Sequence, residues 1–363
     1  MGQLSAPSSP PAPTVAGAAP AAVPLTATLA RELARHCRAY REPMTRKAIG
    51  QLATTVPPFL LLVGLMLWAA AEAWWPGLLL ALPAGGLLVR LFTIQHDCGH
   101  GSYFRSRAAN DRLGRALSLL TATPYDSWKR AHALHHATTG DLDRRGVGDV
   151  RTLTVREYRA LPWAGRLWYR LYRNPVALVL VGSPLNFLVL QRLPNGMGLP
   201  WRAAWRDVAA LDAALALAVA ALAPLAGGVA PVLLALVPTV CVAAWVGGWL
   251  FYVQHQHGDA VWERGGDWDF HRVAPSGSSY YVLPRALQWL TGNVGLHHVH
   301  HLDSRVPNYR LQECLEGHDA LGRINRLTLL GSLRCARLAL WDEGSRRLVT
   351  FAEACRGAPV RQS

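Results

Sequence analysis

Four stretches of apolar residues, each close to the thickness of a bilayer core, constrain this chain more than any other feature. Residues 52–71, 75–94, 208–226 and 229–253 carry only two charges between them, Arg90 and Asp212. A helix rises about 1.5 Å per residue, so roughly 20 such residues cross about 30 Å of hydrocarbon. Lipid offers no partner for backbone N–H and C=O groups, and a spanning segment of this length satisfies them internally only as a helix. The chain therefore reads as an all-α integral membrane protein with four transmembrane helices. A fifth apolar stretch, 174–190, is shorter and interrupted by Pro184, and reads as an interfacial or re-entrant segment.

Charge supplies the orientation. Of 363 residues, 37 are Lys or Arg and 23 Asp or Glu, a formal net charge of +14. The basic residues lie between the apolar blocks, and no zinc-finger or RNA-reading motif organises them, so they point to lipid headgroups and away from nucleic acid. Residues 25–47 carry Arg31, Arg35, Arg38, Arg41, Arg46 and Lys47 against two Glu. A basic segment ahead of the first span places the amino terminus in the cytoplasm. Six cysteines without a CxxC spacing indicate neither a disulfide framework nor an iron–sulfur motif.

The organisation follows: a Pro/Ala-rich disordered tail at 1–24, a basic interfacial segment at 25–50 and a first transmembrane hairpin at 51–95. A cytoplasmic cap segment at 96–206 precedes a second hairpin at 207–253, and a second cap segment runs over 254–363. The tail beyond about Leu321 has helical spacing and reads as lying on the cap or the membrane surface.

Histidine is concentrated in three knots: HDCGH at 96–100, HALHH at 132–136 and HHVHH at 297–301. His96 and His100, at i and i+4, share one helix face and can grip one ion. His132, His135 and His136, and again His297, His300 and His301, add an HxxHH spacing whose adjacent rings are rotated by about 100° and can serve two ions. His255 stands where the fourth span returns to the cytoplasm. Crowded imidazoles repel one another when protonated and gain nothing when neutral, so the pattern points to metal. Imidazole alone suits Zn, Cu, Fe or Ni, and eight or nine ligands match a dinuclear site. The HExxH of zinc proteases is absent. Two crossings between the second knot and His255 keep all the histidines on one side, which requires that 174–190 does not cross. His36, His271 and His318, outside the knots, read as ordinary surface residues.

These boxes resemble the membrane fatty acid desaturase family, marked by HxxxH, HxxHH and HxxHH. The resemblance runs from about Arg46 to Leu315 and includes FYVQHQ at 251–256, GSSYYVLP at 277–284 and TGNVGLHHVHHLDSRVPNYRL at 291–311. It is greatest to bacterial and plastid-type acyl-lipid Δ12 or omega desaturases. It implies two iron ions and O2 as co-substrate, a cis double bond as product, and an acyl lipid or acyl thioester as substrate. It also implies a bacterial inner-membrane enzyme with a cytoplasmic active site and an external electron donor, ferredoxin or cytochrome b5-like, since no haem or cluster motif of its own is present. Carried over box by box, His96, His100, His132 and His300 hold one iron, and His135, His136, His255, His297 and His301 the other. His257 and His298 fall outside the pattern and are candidates for supporting contacts. Asp97, Asp126, Asp141, Asp143, Asp149 and Asp303 are candidates to orient the metal-bound rings. Trp128, Trp245, Trp249, Tyr252, Tyr280 and Tyr281 are candidates to line an acyl tunnel or to anchor the protein at the interface. Two other readings fit the same residues: a hydroxylase or ketolase on the same scaffold, acting on an alkane, carotenoid or sphingoid chain, and a non-catalytic membrane metal-binding protein.

Overall fold

In the computed structural model, residues 25–146, 148–193 and 199–356 are described, and the expected disordered tail at 1–24 lies outside them. Three helical stretches are long and apolar enough to cross a membrane: Thr45–Ala71, Trp75–His100 and Val229–His255. Their inward faces interlock through Phe59, Val63, Leu87, Leu91 and Ile94, with Leu236 and Val240 packed against them. Met66, Ala81, Ala84 and Ala235 form a second layer. Gly85 lets the second and third of these stretches touch, since a Cβ there would sit 2.5 Å from Val242 Cγ1. The outward faces carry Leu60, Leu61, Trp68, Leu82 and Leu233, an apolar surface suited to lipid.

The remaining apolar segments depart from the simple picture. Helices Trp163–Tyr172 and Ala177–Arg192 are together long and apolar enough to span, but they are bent by 72° at their junction, as a broken span or a re-entrant loop would be. The helix expected at 208–226 runs instead over Trp201–Leu222. Its earlier start takes in Arg202, Arg206 and Asp207, which with Asp212 leave at least three charges in every stretch of 18 residues, so it is less apolar than the other three.

The segments expected to form the cap are helical with a small β component that the all-α expectation lacks. Leu153–Thr154 pairs in parallel with Leu340–Asp342, which pairs antiparallel with Arg347–Val349, and Tyr280–Val282 pairs in parallel with Arg326–Thr328. Ladders of two or three residues are too short for alternation to show in sequence. The tail beyond Leu321, read as helical, thus contributes three of these strands and pairs with both Leu153–Thr154 and Tyr280–Val282.

The basic amino-terminal segment is seated on the cap. Leu33, Ala34 and Cys37 of helix Ala27–Cys37 pack with Leu296, Val299, Leu302 and Cys314 around the third histidine box. Arg41 pairs with Asp303 and Lys47 with Glu313. His36, expected at the surface, is half-buried here, its Nε2 2.9 Å from the Cys314 carbonyl.

Candidate metal centre

Four local structures deliver the histidines. Helix Ala81–His100 carries the first box in its last turn and stops at Gly101, whose φ of 69° is the left-handed cap a Cβ disfavours. Helix Tyr125–Thr138 carries the second box, with the backbone N–H of Ser127 donating to Asp207 Oδ2 at 2.7 Å. His255 is the last residue of helix Val229–His255. The third box forms the six-residue helix His297–Leu302, buried throughout. Val299 and Leu302 hold it to the amino-terminal helix, leaving His297, His300 and His301 to meet the remaining boxes.

All nine expected histidines converge into two groups, each with its candidate ligand atoms within 4.8 Å of one another. His96, His100, His132, His136 and His300 form the first. Its Nε2 atoms run from His100 to His132, His132 to His136 and His136 to His300 in steps of 3.0 Å. His135, His255, His297 and His301 form the second, with Nε2 separations of 3.2, 3.0 and 3.1 Å along the chain of contacts. The groups adjoin, the His136 and His301 rings stacking at 4.3 Å.

This grouping corrects the partition implied by the boxes, which placed His136 with His135. The reason is helical: His132 and His136 are one turn apart on one face, whereas His135 is rotated by about 100° from His136 and turns toward His255.

Hydrogen bonding shows what the nitrogens are ready to do. His135 Nδ1 lies 2.6 Å from Asp149 Oδ1, and His255 Nδ1 lies 3.1 Å from the Gly277 carbonyl. A carboxylate and a carbonyl only accept, so both Nδ1 atoms carry the proton and a neutral ring turns an Nε2 lone pair outward. With both rings in that neutral form, the two Nε2 lone pairs would face each other at 3.2 Å. A cation resolves that repulsion. His96 repeats the pattern: Nδ1 lies 3.1 Å from Asp97 Oδ1, and its buried Nε2 has no hydrogen-bond partner. The residues present thus fit a pair of bound metal ions.

Electrostatics agree. Burial first, and neighbouring imidazoles second, hold His132, His136, His300 and His301 well below the usual histidine range, and burial leads for His297 too. Each is neutral at physiological pH, the form that ligates.

Of the six candidate aspartates, Asp97 and Asp149 reach box histidines. Asp97 is itself fixed by the backbone and side-chain N–H groups of Asn308 at 2.6 and 2.8 Å. The other four pair with arginines: Asp126 with Arg115, Asp141 with Arg144, Asp143 with Arg264 and Asp303 with Arg41. His298 is buried outside both groups, bonded through Nε2 to the Leu321 carbonyl at 2.9 Å and stacked on Tyr280. His257 is likewise buried outside them, and burial pushes both rings down to about 4. Among the aromatic candidates, Trp128 stacks on His132, Trp249 on Tyr252, and Trp245 donates to the Leu180 carbonyl. Tyr252 and Tyr281 hydroxyls bond Leu338 and Ser332. Sequence reasoning missed the Gly277 carbonyl, because a backbone acceptor leaves no mark on residue type.

A family model described as fatty acid desaturase matches residues 72–323. A fatty acid desaturase of Bacillus subtilis is 39% identical over 330 residues, covering 91% of this chain and 93% of its own. An sn-1 acyl-lipid omega-3 desaturase (ferredoxin) of Synechocystis is 29% identical over 294 residues, covering 71% and 73%. An sn-1 oleoyl-lipid 12-desaturase of Anabaena variabilis is 27% identical over 281 residues, covering 74% and 75%. With the family match spanning most of the chain and enclosing both histidine groups, this protein belongs to the fatty acid desaturase family of oxidoreductases.

Proposed function

We propose that the chain is an O2-dependent acyl desaturase that introduces a cis double bond into a membrane-associated acyl chain, with two irons held by the nine histidines. The observation that carries the metal is the approach of His135 and His255 Nε2 to 3.2 Å, with Nδ1 of each ring held by a hydrogen-bond acceptor behind it. Bound iron would supply the activation of O2 needed to take hydrogen from an unactivated methylene. One O2, two electrons and two protons enter, and one double bond and two waters leave. The protein holds the rings in one tautomer through Asp149, Asp97 and the Gly277 carbonyl, and it keeps seven of the nine out of water.

Helix directions support a four-span topology. Helices Trp75–His100 and Val229–His255 both end at the histidines, so they run the same way through the bundle. If both cross, the chain between them crosses back an odd number of times. Trp201–Leu222 suits that return: its Asp207 touches the second-box helix at the histidine end, and the helix then runs away from it. The bent pair at 163–192 is then re-entrant. The basic segment that carries Arg41 and Lys47 sits at the same end, which favours the cytoplasm for the active site and, in a bacterium, the inner membrane.

The substrate class follows the acyl-lipid relatives, and ferredoxin as donor follows the name of the Synechocystis enzyme, a cytochrome b5-like protein being the alternative. The test is expression in a host with saturated and monounsaturated lipids, with and without His300→Ala, followed by gas chromatography–mass spectrometry. A new double bond lost in the variant supports the reading. A hydroxylated or keto product would transfer it to C–H oxidation of another kind. No product, with iron loading and electron supply verified, would sink it.

A further inference from the structure

Of the nine histidines, His100 and His132 are partly exposed and the other seven buried. The cluster therefore has one open edge, made by two rings of the first group. A row of aromatic rings leads from that edge toward the apolar bundle. Trp128 stacks on His132 with centroids 4.7 Å apart and planes at 12°. Phe92 meets Trp128 edge-on at 5.2 Å, and Phe187 meets Phe92 edge-on at 5.7 Å. Each of the three aromatic rings is half-buried, so the row borders accessible space instead of filling a closed core.

The positions have a simple origin. Phe92 precedes His96 by four residues, one turn nearer the middle of the bundle on the same helix face. Phe187 belongs to helix Ser183–Leu188, in the second arm of the bent apolar pair, whose Leu180, Val181, Leu185 and Val189 are exposed. The rings of Phe187, Phe92 and Trp128 thus link that exposed apolar arm to an accessible imidazole. Aromatic faces and edges offer an apolar chain contact area without polar atoms, so steric bulk alone settles where it stops.

We propose that Phe92 is a specificity-determining residue, and that the Phe187–Phe92–Trp128 row guides the acyl chain and selects which methylene rests beside His100 and His132. The assignment rests on the acyl-desaturase reading and adds to it the residues that set double-bond position. Shortening Phe92 opens room for the chain to slide along the row.

The experiment compares wild type, Phe92→Leu and Leu91→Ala in the same lipid-producing host, with double bonds located by mass spectrometry. Leu91, fully buried in the bundle core, serves as a packing control. Wild type is expected to give one dominant positional isomer. Discrimination of one methylene by an apolar pocket is modest, so Phe92→Leu is expected to raise a second isomer to about a tenth of the product or more. Leu91→Ala is expected to lower yield without a new isomer. An unchanged isomer ratio in Phe92→Leu, whatever its yield, overturns the proposal and leaves the desaturase reading intact. Wild type that makes no double bond when supplied with iron and electrons removes that reading and this proposal with it. Should Phe92→Leu fail to accumulate, Phe187→Leu reads the other end of the row, and an unmoved ratio there overturns the proposal equally.

Discussion

The two histidine groups are built to different plans. The second is buried throughout, and two of its four rings are fixed from behind by Asp149 and the Gly277 carbonyl. The first has five members, two of them partly exposed, and among the described residues its back-bond to a carboxylate is that of His96 to Asp97. One group is thus anchored and the other accessible, although both draw on the second and third boxes. The contrast teaches that equal ligand chemistry does not give equal exposure: the crossing of four helices decides which rings face protein and which face an opening.

Removing a ligand is the largest perturbation. Under the desaturase reading, His135→Ala and His100→Ala both abolish product formation. Metal content separates them: His135→Ala is expected to empty the enclosed second group, whereas the five-membered first group retains four rings in His100→Ala and keeps more of its metal. Equal metal loss in both would erase the distinction between the groups.

Acid acts on both groups alike and tests what they share. His132, His136, His297, His300 and His301 are neutral in the fold because burial depresses their basicity, whereas in the unfolded chain they take up protons below about 6.5. The unfolded state then binds more protons, so the metal-free protein is level in stability above pH 6.5 and loses it as pH falls. The limiting slope is about 1.4 kcal/mol per pH unit for each such histidine. His136→Gln and His297→Gln should each reduce that slope by one proton, measured by denaturation in detergent across pH 5–7. A slope unchanged in both would mean that these rings are not buried as neutral groups.

The back-bonds test the anchoring. Asp149→Ala frees His135 to rotate and change tautomer, and is expected to cost about 10–100-fold in metal affinity, read by chelator competition. Asp149→Asn keeps an acceptor and should recover part of the loss. If Asp97→Ala costs as much as Asp149→Ala, the second group is no better anchored than the first.

The smallest expected effect lies at the open edge. Trp128→Leu removes a ring stacked on His132 and is expected to cost about 0.5–1.5 kcal/mol of stability, measured as a lowered melting temperature. The equivalent aromatic beside the second group is Phe251, 5.5 Å from His135 and 5.3 Å from His255. A larger loss from Phe251→Leu would agree with the tighter packing there.

Most of the centre is legible in the chain itself, because the relevant geometry is local. His96 and His100, or His132 and His136, are four residues apart, and a helix places them on one face wherever it sits. The apolar blocks are equally local and set the helical class. The division of the ligands is less legible: His135 and His136 are neighbours in sequence yet enter different groups, a consequence of 100° of rotation that box-by-box transfer overlooks. The six nearby aspartates look alike in sequence, and only contacts over long separations, Asp97 with Asn308 and Asp303 with Arg41, sort them. The short strands are absent from any periodic pattern, since each pairs with a segment more than forty residues away or closes a hairpin of the tail.

The sequence by itself determined which nine histidines gather and that apolar helices deliver His96, His100 and His255, because helical period and burial of apolar surface act over a few residues at a time. Tertiary structure alone decided that the His132–His136 face meets His300, that His100 and His132 form the open edge, and that Asp149 and a glycine carbonyl orient the enclosed rings. These depend on how helices far apart in the chain cross and pack, and a crossing is fixed by the joint fit of many side chains, with no local signature to read.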